Sequence, residues 1–253
     1  EESMRSFTIP LLLAGLGACV DDSSDGAIFI TKNVAPGDDC TFTSTEAELF
    51  LPHGVWSVFS PRGYQMFPQM TSRITATADQ IDQRTIILQG ARVDIEFADP
   101  ELRADLDLAR LQAEGITKFQ SRFSAPLLPN GGITDGAIEL LTRRLIDEII
   151  AVRPGIDNVN QDAAPAFSTE LLASVVVFGQ LAGDEVTSQS FTFPVTLCNK
   201  CVVNIVGACP LPEDAAPRTG NSCNQFQDGN VDCCVNGSGG LVCPATVATT
   251  PPP

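Results

Sequence analysis

Alternating apolar and polar residues recur in short runs along most of this 253-residue chain, and glycine or proline residues separate the runs. Alternation with a period of two residues is typical of a β-strand that buries one face. It predicts strands over residues 27–31, 40–43, 55–59, 84–97, 116–128, 171–181 and 191–197. Within 84–97 the alternation changes phase at Gly90, which predicts a β-bulge. The pattern favours a mainly β fold, an antiparallel β-sandwich of Ig-like or jelly-roll-like type.

The strand predicted over 171–181 is expected to lie in the centre of a sheet. Val176 and Phe178 make it apolar on both faces, and a strand with two apolar faces is covered on both sides. Gly183-Asp184 predicts a turn into the returning strand, which runs directly into Cys198.

Two segments have the residue spacing of a helix. Asp99 followed by Pro100 is a helix-start signal and Gly115 a stop signal, although a strand is an alternative for residues 102–108. A second helix is predicted to end before Pro154. Its apolar face would consist of Ile138, Leu141, Leu145, Ile149 and Val152. We therefore expect one or two helices beside the sandwich.

The N-terminal segment has the composition of an export signal. Met4-Arg5 supplies a cationic start, residues 7–18 an apolar core, and Gly17-Ala18 the small residues that precede a cleavage site. The segment resembles a bacterial lipoprotein signal peptide, with residues 16–19 as its lipobox. The resemblance implies cleavage before Cys19, a diacylglycerol on the Cys19 sulfur and an acylated amine.

The residues around this signal fit the same interpretation. Glu1 and Glu2 are unusual before a cationic start, so we expect Met4 to be the true first residue. A buried apolar element is the alternative for the apolar core, but Pro10 and the acidic, Ser-rich tether that ends at residue 26 favour a cleaved leader. Because Val20 rather than Asp follows the lipidated cysteine, the resemblance implies an outer-membrane location.

Composition and charge exclude two classes of partner. The chain carries 31 acidic and 15 basic residues, a formal net charge of −16. Nucleic acids and anionic lipid headgroups attract basic surfaces, so neither is expected to bind this chain electrostatically. No stretch after Cys19 has the 18 to 20 apolar residues that a membrane-spanning helix needs. We expect membrane contact through the lipid at Cys19 alone, with an envelope protein as the possible partner.

The nine cysteines point to a disulfide framework. Lipidation of Cys19 leaves an even number for disulfides: Cys40, Cys198, Cys201, Cys209, Cys223, Cys233, Cys234 and Cys243. Seven of these lie beyond residue 197, so full pairing requires a bridge from the C-terminal segment to Cys40. The remaining connectivity is open, since eight cysteines allow 105 arrangements.

These observations divide the chain into five parts. Residues 1–18 are the signal peptide, 19–26 the lipidated cysteine and tether, 27–197 the β-sandwich, 198–244 a cystine-rich segment packed on the sandwich, and 245–253 a disordered tail.

The pair Cys198 and Cys201 has the spacing of a redox dithiol. Redox dithiols of the thioredoxin type begin a helix, whereas this pair follows a strand and precedes β-branched residues. Zinc would need a second spaced pair or histidines. A structural cystine is the favoured interpretation, and adjacent Cys233 and Cys234 are expected to bond to two different segments.

Cation-binding patterns are weak. Residues 21–26 resemble the start of an EF-hand loop, but its twelfth position is Lys32. The stretch from Asp228 to Asp232 suits a weak calcium site or, as we favour, a turn stabilised by local hydrogen bonds. No metal and no cofactor is predicted.

Catalytic patterns are equally weak. His53 is the only histidine and has no Gly-x-Ser-x-Gly motif to accompany it. Asp94 and Glu96 are spaced for a pair of glycosidase carboxylates or, as we favour, for the solvated face of a strand. Trp56, Tyr64 and Phe59 suit a sugar-stacking patch or, more simply, core packing. We therefore predict no catalytic residue and no enzyme.

The chain resembles a group of bacterial envelope lipoproteins of myxobacterial type. The features that carry the resemblance are the lipobox at 16–19, the strand 191–198, the Cys-x-x-Cys that follows, and the segment from Gln227 to Cys234. That group has no assigned activity, so the resemblance implies location and disulfides only. The sequence predicts a non-catalytic envelope lipoprotein, structural or protein-binding. The alternatives are a ligand- or glycan-binding lipoprotein and, less favoured, a thiol-disulfide oxidoreductase.

Overall fold

A computed structural model describes residues 25–41, 50–160 and 163–248 of the chain. Within these ranges it is mainly β, with fourteen strands and three α-helices. The strands are β1 Asp25–Asn33, β2 Gly54–Ser57, β3 Tyr64–Met66, β4 Pro68–Ser72, β5 Ile86–Phe97, β6 Lys118–Leu127, β7 Ile133–Asp135, β8 Ile138–Leu141, β9 Ser168–Leu181, β10 Asp184–Ser188, β11 Phe191–Cys198, β12 Val203–Ala208, β13 Val231–Val235 and β14 Leu241–Val242. The helices are α1 Pro100–Asp105, α2 Leu108–Ala113 and α3 Arg143–Val152. The predicted signal peptide, Cys19, most of the tether and the last five residues lie outside the described ranges.

Nine of the described strands form the main sheet, and β9 is its central strand. One edge of β9 pairs with β5, and its other edge pairs first with β11 and then with β10. The mainly β fold and the central position of this strand are confirmed. Most pairings are antiparallel, but β1 runs parallel to β10 and β2 runs parallel to β11.

The predicted bulge is present in β5. Its register with both β6 and β9 shifts between Leu88 and Gly90. A Cβ atom at Gly90 would lie 2.5 Å from the backbone oxygen of Ser121, and Gly90 has a φ of +154°. Glycine at this position therefore permits the close approach of β6.

One hydrophobic core joins the inner face of the main sheet to the helices and to the small β3–β8 sheet. The alternation of β5 and β9 places every second side chain in this core, as the sequence pattern predicts. The helices contribute fully buried residues: Leu102, Leu111, Leu145, Ile146 and Ile149.

The first predicted helix is two helices. Leu106 is extended, with φ −92° and ψ 138°, and it separates α1 from α2. Asp107 then accepts a hydrogen bond from the Arg110 amide at 3.1 Å and caps α2, as Asp99 caps α1. Each short helix thereby begins at its own aspartate.

The second predicted helix begins later than its apolar spacing indicates. Ile138 and Leu141 belong to β8, which pairs with β3, and the helix starts at Arg143. Strand pairing buries Ile138, Leu140 and Leu141 completely, so the tertiary contact overrides the helical spacing.

Two further predicted elements differ in detail. The turn after β9 is centred on Ala182-Gly183, both with positive φ, and the returning chain forms β10 and β11 as separate strands. Cys40 ends a 3₁₀ turn rather than starting a strand, and residues 42–49 lie outside the described ranges.

The C-terminal segment forms a second sheet in the order β12-β13-β14. Val202, Val203 and Val231 make a small core with Val55 and Phe59 of the main domain. The segment therefore packs beside β2.

Candidate functional site

The eight cysteines of the described ranges form four disulfides. The pairs are Cys40–Cys223, Cys198–Cys201, Cys209–Cys234 and Cys233–Cys243. The bridge to Cys40 spans 183 residues, as full pairing of the eight cysteines requires, and the adjacent Cys233 and Cys234 bond to different segments.

The Cys198–Cys201 disulfide lies at the end of β11, with its two Cα atoms 5.9 Å apart. Cys201 is exposed, whereas Cys198 is 4% exposed and its sulfur lies 3.7 Å from the backbone oxygen of Trp56. A thiol that attacked the accessible Cys201 sulfur would expel Cys198 as a thiolate into a buried site beside a carbonyl oxygen. Burial and a partial negative charge both disfavour a thiolate. The geometry suits a structural cystine better than a redox centre.

Asn199, which lies between Cys198 and Cys201, holds this part of the backbone in place through its side chain. Its side-chain NH2 donates to the backbone oxygens of Ile156 at 3.0 Å and Pro165 at 2.8 Å, and its side-chain oxygen accepts from the Phe167 amide at 3.1 Å. One buried side-chain amide therefore holds three backbone groups of the preceding loop against the start of the C-terminal segment.

A buried polar network joins the C-terminal segment to β2 and β3. The Asp228 carboxylate accepts hydrogen bonds from the Val55 amide and the Tyr64 hydroxyl, each at 2.8 Å, and from the Gln227 side chain at 3.2 Å. Gln227 is completely buried; its side chain donates to the Gln65 carbonyl at 2.8 Å and accepts from the Gln65 amide at 3.0 Å. Gln227 thus occupies the outer edge of β3 as a partner strand would.

Asn224 extends this network. Its side chain donates to the Gln227 side-chain oxygen at 2.9 Å and to the Gly63 carbonyl at 3.0 Å. Three residues of the loop before β13, Asn224, Gln227 and Asp228, are therefore hydrogen-bonded to the chain between residues 55 and 65.

Burial raises the pKa of Asp228 from its ordinary value of 3.8 to about 6. The Val55 amide, the Tyr64 hydroxyl, Gln227 and the nearby His53 all favour the charged form, but burial outweighs them. Burial and the Asp228 carboxylate also raise the pKa of Tyr64 well above its usual value. Tyr64 is therefore a neutral hydrogen-bond donor to Asp228 at physiological pH.

Replacement of Asp228 by asparagine is expected to remove part of the pH dependence of stability. Because the folded-state pKa of Asp228 exceeds its unfolded value, the fold binds an extra proton between about pH 4 and 6, and stability falls as pH rises through this window. By pH 7 this loss of the extra proton has lowered the free energy of unfolding by about 3 kcal/mol or less. Asparagine retains an acceptor for the Val55 amide and tolerates the φ of +55° at this position.

The measurement is urea unfolding of both proteins from pH 4 to pH 8. Other carboxylates, such as Asp232, contribute equally to both curves, so the difference between the curves isolates Asp228. If the free energy of unfolding depended on pH in the same way in both proteins, the raised pKa assigned to Asp228 would be contradicted.

A cleft of about 690 Å³ lies on the outer side of the network. One wall comes from residues 35–39 and the other from residues 219–229, and both the Cys40–Cys223 bridge and a 2.6 Å hydrogen bond from Ser222 to the Gly37 carbonyl connect them. Its polar lining side chains are those of Asp39, Thr219, Asn221, Ser222, Gln225 and Asp228. These groups suit a polar ligand that is neutral or cationic.

The aromatic residues considered for sugar stacking do not form a surface patch. Trp56 and Tyr64 are completely buried in the main core, and Phe59 is partly buried against it. Core packing, the favoured interpretation of the sequence, is confirmed.

The other candidate residues lie apart from one another. His53 is half-buried, with its Nε2 2.8 Å from the Thr196 hydroxyl. Asp94 and Glu96 lie on the exposed face of β5, where Asp94 forms an ion pair with Lys118 at 3.1 Å, as expected for a solvated face.

The two ends of the suggested calcium loop serve different partners. Asp228 faces the buried network, while Asp232 in β13 accepts hydrogen bonds from Arg218 and from Asn204. These bonds hold the pKa of Asp232 well below its usual range. Among the described residues, no cluster of three or more His, Cys, Asp or Glu side chains is arranged to hold a metal ion. The EF-hand-like residues 21–24 lie outside the described ranges.

The buried network is the part of the site that the sequence analysis missed. From the sequence, Asp228 was interpreted as a turn residue or a weak calcium ligand, and Tyr64 as a core or sugar-stacking aromatic. Asp228 and Tyr64 are 164 residues apart, so no local pattern pairs them. The available signal was the stretch of uncharged amides that precedes Asp228 in a segment rich in cystine.

No helix in the described parts of the chain is long and apolar enough to cross a membrane. No protein-family model and no curated protein matches the chain. A protein from Archaeoglobus fulgidus of known crystal structure is similar at 12% identity, over 59% of this chain and 95% of that one, with a TM-score of 0.31.

Proposed function

We propose that this chain is an exported envelope lipoprotein, anchored through acylated Cys19, whose disulfide-linked β domain is a non-catalytic structural or protein-interaction module. One observation carries the proposal. The eight cysteines in the described ranges are paired with each other, so none of them takes the ninth cysteine of the sequence, Cys19, as its partner. Disulfide-rich domains belong to oxidising compartments, and a lipobox cysteine is consumed by acylation there.

The test of the anchor is the fate of Cys19. In a bacterial host that processes lipoproteins, the protein is expected to incorporate labelled fatty acid and to partition into detergent, and its N-terminal peptide should carry the diacylglycerol and acyl masses. Cys19→Ser should abolish all three. Cys201→Ser is the matched control, because it changes an exposed cysteine of a three-residue loop and should leave labelling intact. If the protein without substitutions kept an intact leader, or carried a free thiol at Cys19, the proposal would be refuted.

The geometry of Cys198–Cys201 supports a structural role over thiol-disulfide exchange. We expect no thiol to react in the purified oxidised protein, folded or in guanidinium, and no reduction of insulin when a thiol reductant is supplied. Thiol titration and the insulin turbidity assay measure these outcomes. Two reactive thiols per chain together with insulin reduction would favour the oxidoreductase instead.

The burial of Trp56 and Tyr64 removes the surface on which a glycan-binding role was based. For a disulfide-linked domain of this kind, a module that binds another protein is the simpler proposal. Chemical crosslinking in the native envelope, followed by mass spectrometry, would identify its partner.

A further inference from the structure

The sequence contains two Asn-Gly pairs, Asn130-Gly131 and Asn236-Gly237. An asparagine before glycine is open to deamidation by the next backbone nitrogen, because glycine has no Cβ atom to obstruct the approach to the side-chain carbon. The attack takes place within one molecule and needs no encounter between two reactants. Since both pairs have the same two residues, a difference in their reactivity depends on the structure around each pair.

Asn236 follows β13 and begins the turn to β14. Its side-chain oxygen Oδ1 accepts three hydrogen bonds: from the Ser238 hydroxyl at 2.8 Å, the Ser238 amide at 3.1 Å and the Gly240 amide at 2.8 Å. The side chain therefore bends back over Gly237, which lies between Asn236 and Ser238. All three donors are directed at the atom on which negative charge develops when a nucleophile adds to the amide carbon. The turn thus activates this side-chain amide toward the backbone that follows it.

Asn130 is held at both ends of its side-chain amide. Its oxygen accepts a hydrogen bond from the Ala76 amide at 2.9 Å, and its nitrogen donates to the Ala76 carbonyl at 2.8 Å. Loss of the side-chain nitrogen as ammonia would break the second of these bonds, and ring closure would draw the side chain away from Ala76. The structure therefore restrains the reaction at this pair.

We propose that Asn236 is a deamidation site and that its side chain reacts with the backbone nitrogen of Gly237, whereas Asn130 is protected. The Gly237 nitrogen gives up its proton and forms a bond to the side-chain carbon of Asn236. The bond from that carbon to the side-chain nitrogen breaks, and this nitrogen takes up the proton and leaves as ammonia. Water then adds to one of the two carbonyl carbons of the resulting succinimide and breaks its bond to the ring nitrogen. The products are aspartate and isoaspartate, and nothing is oxidised or reduced.

The aspartate product fits the same turn. Its carboxylate accepts hydrogen bonds from the three groups that donate to the amide oxygen, and hydrogen bonds to a charged acceptor are the stronger ones. The isoaspartate product adds a carbon atom to the backbone between β13 and β14. Because the Cys233–Cys243 disulfide joins the chain on the two sides of the turn, the change is confined to the turn. Either product makes the chain more negative by a single charge.

The first test compares the two Asn-Gly pairs within the same molecule. The full chain, with its four disulfides intact, is incubated at mildly alkaline pH, and peptide mass spectrometry follows both pairs. In the folded protein Asn236 should convert about tenfold faster than Asn130, or more. In guanidinium the two pairs lose their different surroundings, and the two rates should become comparable. Equal rates in the folded protein, or a preference for Asn236 that persisted in guanidinium, would overturn the inference.

Two variants test the chemistry, and Asn130 is the internal control in both. Apart from its chain neighbours, a Cβ atom at Gly237 would have no atom within 4 Å, so Gly237→Ala should fold normally. The added methyl group lies beside the attacking nitrogen and should slow conversion of Asn236 by about tenfold. Ser238→Ala removes one of the three donors to Oδ1 and should slow conversion by about threefold or more. Asn236→Asp supplies the reference for the aspartate product in ion-exchange chromatography. If conversion of Asn236 stayed as fast in either alanine variant as in the parent, the proposed reaction would be refuted.

Discussion

Replacement of Cys40 and Cys223 by alanine is expected to lower the free energy of unfolding by about 5 kcal/mol. The bridge closes a loop of 183 residues, and a cross-link stabilises mainly by restricting the unfolded chain, more strongly for longer loops. It also connects the segment before β2 to the loop that carries the buried network. Both walls of the cleft should therefore lose their fixed spacing.

Urea unfolding followed by the fluorescence of Trp56 measures the effect, since this is the only tryptophan and it is completely buried. The matched control is the double replacement Cys198→Ala and Cys201→Ala. Its loop spans three residues, so the same relation gives a loss of about 2 kcal/mol. Equal losses in the two double variants would show that loop length does not determine the contribution of the long bridge.

Gln227→Ala is expected to cost about 3 kcal/mol of unfolding free energy, because it removes the partner of several buried polar groups. The Gln65 amide and carbonyl lose both of their hydrogen bonds to this side chain, and Asn224 and Asp228 lose one each. Unpaired polar groups inside a protein cost more than the net gain of a hydrogen bond. The exposed edge of β3 should also exchange its amide hydrogens faster.

The matched control is Gln225→Ala, two positions earlier in the same loop, where the side chain is half-buried and lines the cleft. This change should alter stability by less than about 0.5 kcal/mol. Hydrogen exchange at Gln65 supplies a second measurement. If Gln227→Ala were as mild as Gln225→Ala, the side chain would have no role in closing the edge of β3.

The main sheet could be predicted from sequence where one strand buries one face along its whole length. The alternation of β5, including its phase change at Gly90, and that of β9 specify the inner face directly. The four residues of β8 could not be assigned this way, because Ile138 and Leu141 fit a helix as well as a strand, and pairing with β3 decides between them. Asp107 was a readable signal for the break between α1 and α2, since aspartate is a strong N-cap residue.

The long-range contacts that hold the site together were harder to predict from the sequence than the residues that form them. Cysteine parity predicts a bridge to Cys40, but its partner depends on which loop the fold brings near. The same holds for the Asp228–Tyr64 hydrogen bond and for the parallel pairings of β1 and β2. These contacts join residues far apart in the chain. The composition or residue spacing of one segment does not indicate which distant segment will contact it.

The parallel pairings of the first two strands also determine when the sheet can close during synthesis. The partner of β1 across one edge is β10, and the partner of β2 is β11, each more than 140 residues later in the chain. Native contacts of such large sequence separation slow folding, because a long loop must be ordered before they form. A nascent chain that ends before residue 184 therefore has no strand to complete either pairing, and the main sheet can be completed only after β10 and β11, which end at Cys198, have been synthesised.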